Sequence, residues 1–144
     1  MRSTTGAYFA PGDIGVVWSC SKLQRKVADS STAAEAYALH ELVKTVIEVY
    51  GKLVEMGETV ETPAMLKQDN HAVIRMSETL SAHAGSMHLR IPQAFIHDEV
   101  REGLVKCQKT MSDKSGADSY TKSPARPKFK RDMRETMGPQ PGLE

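Results

Sequence analysis

The chain has 144 residues, 40% of them hydrophobic and 26% charged, and this length and composition predict one globular domain with its own core. Its 19 Lys and Arg residues against 18 Asp and Glu residues give a net charge of +1, so the global charge does not indicate a nucleic-acid partner, and no apolar stretch is long enough for a membrane span. Cys20 and Cys107 lack metal-ligand spacing, and without an apolar leader we expect a reducing intracellular compartment.

Two short apolar runs near the start of the chain predict a β-hairpin. They span residues 7–9 and 15–19, and residues 11–13 between them read Pro-Gly-Asp. These residue types favour a tight turn. We therefore expect two neighbouring antiparallel strands.

A long amphipathic helix is predicted from Ser31 onward, because apolar residues recur there at helical spacing and charged residues take the opposite side. The apolar positions are Leu39, Leu42, Val43, Val46, Ile47, Tyr50, Leu53 and Val54. Ser30, Ser31 and Thr32 are all able to cap the start, and Gly57 lies where the apolar stripe stops.

The rest of the chain alternates strand and helix patterns. We expect a strand over 62–68, helices over 70–80 and 88–102, a strand over 104–110 and a helical turn over 117–122. The remaining residues are basic and rich in proline, which is typical of a loosely structured tail. The order of elements predicts an α/β fold with a mixed sheet flanked by helices over 1–122, followed by a tail over 123–144.

Three carboxylates stand at element boundaries: Glu35, Asp69 and Asp118. Glu35 lies one turn before Leu39, on the stripe that packs toward the sheet. Helix capping explains each position, because Thr32 and Glu35 match a capping box, and the two aspartates suit N-caps. On the residues alone we prefer capping for Glu35, and for the two aspartates capping is an open alternative. Carboxylates at strand ends and helix starts are also what a divalent-cation site on an α/β scaffold uses.

Five stretches together carry the motifs of one family. Residues 18–24 read Trp-Ser-Cys-Ser-Lys-Leu-Gln, and residues 30–35 read Ser-Ser-Thr-Ala-Ala-Glu. Residues 69–74 read Asp-Asn-His-Ala-Val-Ile, residues 95–100 read Phe-Ile-His-Asp-Glu-Val, and residues 117–122 read Ala-Asp-Ser-Tyr-Thr-Lys. In this order they resemble the ribonuclease H domain of copia-type retrotransposon Pol polyproteins, and the likeness covers nearly the whole chain.

The resemblance implies a ribonuclease H fold that cleaves the RNA strand of an RNA/DNA hybrid, with four carboxylates holding two magnesium ions. By motif match, three of these catalytic metal ligands are Glu35, Asp69 and Asp118. The candidates for phosphate contacts are Lys22, Arg25 and Lys26. A solvated turn is the alternative explanation for these three charges.

One departure from the family concerns its first carboxylate, which lies in an Asp-Ala-Asp stretch just before Arg-Ser-Thr-x-Gly. Here the Arg-Ser-Thr-x-Gly motif is residues 2–6, so we expect the first, central strand and its aspartate to be missing. With one ligand fewer, we expect magnesium to bind weakly and the rate of hydrolysis to fall by several orders of magnitude. The gap would leave two open strand edges, where a protein partner or a second copy of the chain donates a strand. The predicted function is a non-catalytic subunit or interaction module of retrotransposon origin, and the alternative is an active magnesium-dependent ribonuclease H.

Overall fold

The computed structural model describes residues 4–9, 18–24, 30–80 and 87–110, together with positions 127, 130, 131 and 134. Its strands and α-helices in chain order are β1 (Thr4–Phe9), β2 (Trp18–Leu23), α1 (Ser31–Glu55), β3 (Ala64–Gln68), α2 (His71–Glu78), α3 (Arg90–Arg101) and β4 (Val105–Lys109), and a short 3-10 helix, Met87–Leu89, directly precedes α3. The chain divides into a terminal unit, Met1–Ala28 with Ser112–Glu144, and a central unit, Asp29–Met111. The domain boundary that the sequence predicts after residue 122 stays a prediction.

The hairpin of the terminal unit is confirmed. β1 pairs antiparallel with β2, and Phe9 lies opposite Trp18 at the end nearest the predicted turn. β2 continues past the predicted end at residue 19, while residues 10–17, which include the turn, lie outside the described residues. Just after β2, the buried Gln24 side chain donates from Nε2 to Thr5 Oγ1 at 3.1 Å, which ties the end of β2 to the start of β1.

The long helix α1 is also confirmed. Its buried face includes Ala36, Leu39, Val43 and Val46, which follow the three- and four-residue spacing of one helix side. The helix ends at Glu55, and Gly57, just after the C-cap Met56, has a φ of +84° in the left-handed region. Glycine adopts this conformation without the steric cost that a Cβ brings, so it ends the helix where the sequence predicts.

The central unit is built on a parallel strand pair. Ala64 donates its N–H to the Leu104 carbonyl at 2.9 Å, and Thr110 donates to the Gln68 carbonyl at 2.9 Å. The ladder therefore begins directly after Pro63, which has no N–H to donate. The inward side chains of the pair are buried, namely Ala64, Leu66, Val105 and Cys107. α2 packs on both strands, and α1 packs on α2 and α3. In sequence, α2 and α3 lie between β3 and β4 and form the crossover that a parallel pair requires.

The described strands form two separate pairs. β1 and β2 make one two-stranded sheet, and β3 and β4 make another. The α/β class is confirmed, whereas the ribonuclease H arrangement and the missing central strand stay predictions. None of the helices in the described ranges has the length and apolar character to cross a bilayer.

Candidate functional site

Two of the three predicted carboxylates lie in the described part of the central unit. Glu35 is in the second turn of α1, and Asp69 directly follows β3, and both are partly buried. Asp118 lies outside the described residues, as do Arg25 and Lys26. Lys22, the third predicted phosphate contact, is exposed in β2 of the terminal unit.

Glu35 does not cap α1. The N-cap is Ser30, whose hydroxyl accepts from the Ala33 N–H at 3.1 Å. Thr32 is therefore inside the helix, and the predicted capping box between Thr32 and Glu35 is wrong, because the helix begins earlier than that pair requires. The Oε2 oxygen of Glu35 is buried, which places part of this carboxylate toward the protein and away from bulk water.

Asp69 does not cap the next helix either. The N-cap of α2 is Asn70, whose Oδ1 accepts from the N–H groups of Ala72 at 2.9 Å and Val73 at 3.4 Å. The backbone N–H of Asp69 donates to Gln68 Oε1 at 2.8 Å. The alternative of Asp69 as an N-cap is thus wrong by one residue, and its carboxylate is not committed to the helix start.

The start of α1 and the end of β3 meet through a hydrogen bond between side chains. Asn70 donates from Nδ2 to Thr32 Oγ1 at 3.4 Å. Thr32 and Glu35 are three residues apart on α1, so they are neighbours on one side of the helix. Asp69 is next to Asn70 in the chain. We call this group the α1–β3 corner, and its residues are Thr32, Glu35, Gln68, Asp69 and Asn70.

Three residues of the corner are missed by the sequence-based site prediction: Thr32, Gln68 and Asn70. A signal for Asn70 is present in the sequence, because asparagine is among the best N-caps and directly precedes the α2 pattern. The signal is ambiguous since Asp69 is an equally good cap type. Nothing in the sequence indicates that Thr32 and Asn70 contact each other across 38 positions.

The donor set of the corner suits a hard divalent cation. Magnesium prefers carboxylate oxygens, and the corner supplies two carboxylates that no helix start uses as a cap. Within the ranges that the structure describes, no group of three or more His, Cys, Asp or Glu residues is gathered as a metal site. The third predicted ligand, Asp118, is not in those ranges, so the complete three-carboxylate set stays a prediction.

The chain is similar to retrotransposon Pol polyproteins. It is 30% identical over 128 residues, 89% of its length, to the retrovirus-related Pol polyprotein from transposon TNT 1-94 of Nicotiana tabacum. It is 27% identical over 127 residues, 88% of its length, to the retrovirus-related Pol polyprotein from transposon RE1 of Arabidopsis thaliana. The chain spans only 10% and 9% of the lengths of these two relatives. No family model and no solved structure matches it.

Proposed function

We propose that this chain is a retroelement-derived, ribonuclease H-like domain that acts on RNA/DNA hybrids through the α1–β3 corner. The observation that carries the proposal is that Glu35 lies on α1 and Asp69 in the junction between β3 and α2, which the Asn70–Thr32 hydrogen bond joins to α1, and that neither caps a helix. Capping was the competing explanation for both residues. The similarity to Pol polyproteins over most of the chain supports a retroelement origin.

Glu35 and Asp69 would hold magnesium at the corner. Asp118 lies outside the described residues and stays a candidate ligand on the family resemblance alone. A bound divalent ion activates the attacking water and stabilises the leaving oxygen of a phosphodiester. The protein's own contribution is to fix the two carboxylates on rigid elements, since a helix and a strand end hold ligands better than a free loop does. The exposed Lys22 is suited to contact a phosphate, and we extend the same role to Arg25 and Lys26.

A second candidate function is a non-catalytic interaction module. It is favoured by the edge of β3 that faces away from β4. Ala64 and Gln68 direct backbone groups at β4, so the alternation of the strand places the N–H and C=O of Met65 on the opposite edge. Within the described ranges, no strand pairs there. A strand of a protein partner or of a second copy could add to this edge.

A cleavage assay on an RNA/DNA hybrid with magnesium tests the first function. We expect the chain to cut the RNA strand slowly, because it offers three candidate carboxylate ligands where the family resemblance implies four. Glu35→Gln and Asp69→Asn should each lower that rate by more than about 100-fold, because each removes a metal-ligand charge. Matched controls are Glu41→Gln, which is exposed on the same helix, and Asp98→Asn, which is exposed on α3. Both controls should keep the wild-type rate.

The outcomes separate the two candidate functions. Cleavage that persists in both Glu35→Gln and Asp69→Asn would contradict the corner as the active site. A folded wild-type protein that neither cleaves the hybrid nor binds magnesium would contradict the enzymatic function and leave the interaction module as the better account. Thermal unfolding of every variant shows whether a lost rate reflects a lost fold.

A further inference from the structure

Asn70 uses both ends of its side-chain amide. Its Oδ1 accepts from Ala72 N–H at 2.9 Å and from Val73 N–H at 3.4 Å, and its Nδ2 donates to Thr32 Oγ1 at 3.4 Å. A helix N-cap must present an oxygen to the N–H groups of the first turn, which directs the amide nitrogen the other way. The cap therefore fixes the orientation in which Asn70 reaches α1.

Gln68 also binds the backbone of the junction between β3 and α2. Its Oε1 accepts from the backbone N–H of Asp69 at 2.8 Å and from that of Asn70 at 3.2 Å. Asp69 thus sits between two side-chain anchors, one on the last residue of β3 and one on the cap of α2. These contacts order the backbone that carries the Asp69 carboxylate.

We infer that Asn70 and Thr32 are positioning residues that set the Asp69 carboxylate relative to Glu35 so that both can bind one divalent cation. The inference rests on the proposed function. Thr32 and Glu35 share one side of α1, and Asn70 is bonded to that side and adjacent to Asp69. Groups that orient metal ligands without touching the metal typically change metal affinity by about 10- to 100-fold when they are removed.

Thr32→Val tests the inference because it keeps the shape of the side chain and removes the acceptor oxygen. Magnesium affinity of the full chain is measured by isothermal titration calorimetry, and thermal unfolding is followed in parallel. We expect Thr32→Val to weaken magnesium binding by about 10-fold, at the lower end of that range because the 3.4 Å bond is long. Thr32→Ser restores the hydroxyl and should restore the affinity.

Thr45→Val is the matched control. Thr45 lies on the same helix, and its hydroxyl donates within the helix to the Glu41 carbonyl at 3.0 Å. This variant has the same substitution as Thr32→Val and should leave magnesium affinity unchanged. Equal weakening by both variants would overturn the inference, because the effect would then belong to the helix and not to the corner.

Asn70→Ser completes a double-mutant cycle. Serine retains a capping oxygen for α2 but is too short to reach Thr32. If the pair acts together, the Thr32→Val/Asn70→Ser double variant binds magnesium no more weakly than Asn70→Ser alone. Fully additive losses would overturn the inference.

Other outcomes separate the inference from the proposed function. If Thr32→Val binds magnesium like wild type while Glu35→Gln and Asp69→Asn lose binding, the positioning role of Thr32 and Asn70 is wrong and the proposed function stands. If wild type binds no magnesium, both are overturned.

Discussion

The pKa values of two glutamates on helix surfaces are shifted in opposite directions by their surroundings. Lys52 Nζ lies 2.6 Å from Glu48 Oε1 on α1, and this hydrogen bond and charge lower the pKa of Glu48. On α3, partial burial raises the pKa of Glu99, and the charges of Glu102 and Asp98 raise it further. The surroundings therefore favour the ionised form of Glu48 and disfavour the ionised form of Glu99.

We predict that Glu99→Gln stabilises the protein at about pH 7. The pKa of Glu99 is higher in the folded than in the unfolded state, so the folded state binds its proton more tightly. The stability from this group is then present below the unfolded pKa and is lost as pH rises through the folded pKa. Urea unfolding from about pH 3 to 7 should show the advantage of Glu99→Gln shrinking as pH falls.

Glu48→Gln is the control with the opposite sign. The pKa of Glu48 is depressed in the folded state, so its contribution is present above the unfolded pKa and is lost as pH falls. Its pair with Lys52 is exposed, so the effect is small and disappears in high salt. A Glu99→Gln variant less stable than wild type at neutral pH would contradict the prediction that burial and the charges of Glu102 and Asp98 disfavour the ionised form of Glu99.

At the scale of elements, the helices are predictable because their apolar spacing and stop signals are local. The start of α1 is not, since Ser30, Ser31 and Thr32 are all good cap types. The structure selects Ser30, which places Ala33 and Ala34 in the first turn, where both are buried. Packing of the first turn decides between equivalent caps, and this information is not in the local sequence. The start of α2 shows the same ambiguity, since Asp69 and Asn70 are both good cap types and the structure selects Asn70. Glu35 and Asp69 as site residues stay predictions.

Strand pairing shows the same limit. The hairpin is predictable from its turn residues, but the extension of β2 to Leu23 is not. The last three residues of β2 are all exposed, so there is no alternation to indicate a strand, and only the ladder with β1 defines it. The strands β3 and β4 alternate clearly, yet their parallel pairing depends on the α2 and α3 crossover, which joins positions far apart in the chain.

We predict that Ser30→Ala destabilises the protein by about 1 kcal/mol, the usual cost of removing an N-cap oxygen. The Ser30 hydroxyl is bonded to the Ala33 N–H, which has no partner within the helix. Ser31→Ala is the matched control, because Ser31 is exposed at the first helical position. Urea unfolding measures both. Equal losses in the two variants would show that Ser30 is not the cap.

At the scale of the whole molecule, the net charge of +1 gives little long-range attraction for a nucleic acid. Affinity for a hybrid must then come from a few local phosphate contacts, each of which releases about one counterion. The slope of log affinity against log salt therefore reports the number of phosphate contacts and not the net charge of the chain. This makes a single lysine testable even though the chain is nearly neutral.

We predict that Lys22→Gln weakens hybrid binding equally for unrelated sequences and reduces the slope of log affinity against log salt by about 1. Lys22 is exposed near the end of β2, and a phosphate contact carries no base information. Lys52→Gln is the control, because Lys52 is an exposed lysine whose described partner is Glu48. Fluorescence anisotropy with a labelled hybrid, without magnesium to prevent cleavage, gives both slopes. If Lys22→Gln retained the wild-type slope, Lys22 would not contact phosphate, and a solvated position on β2 would explain its charge.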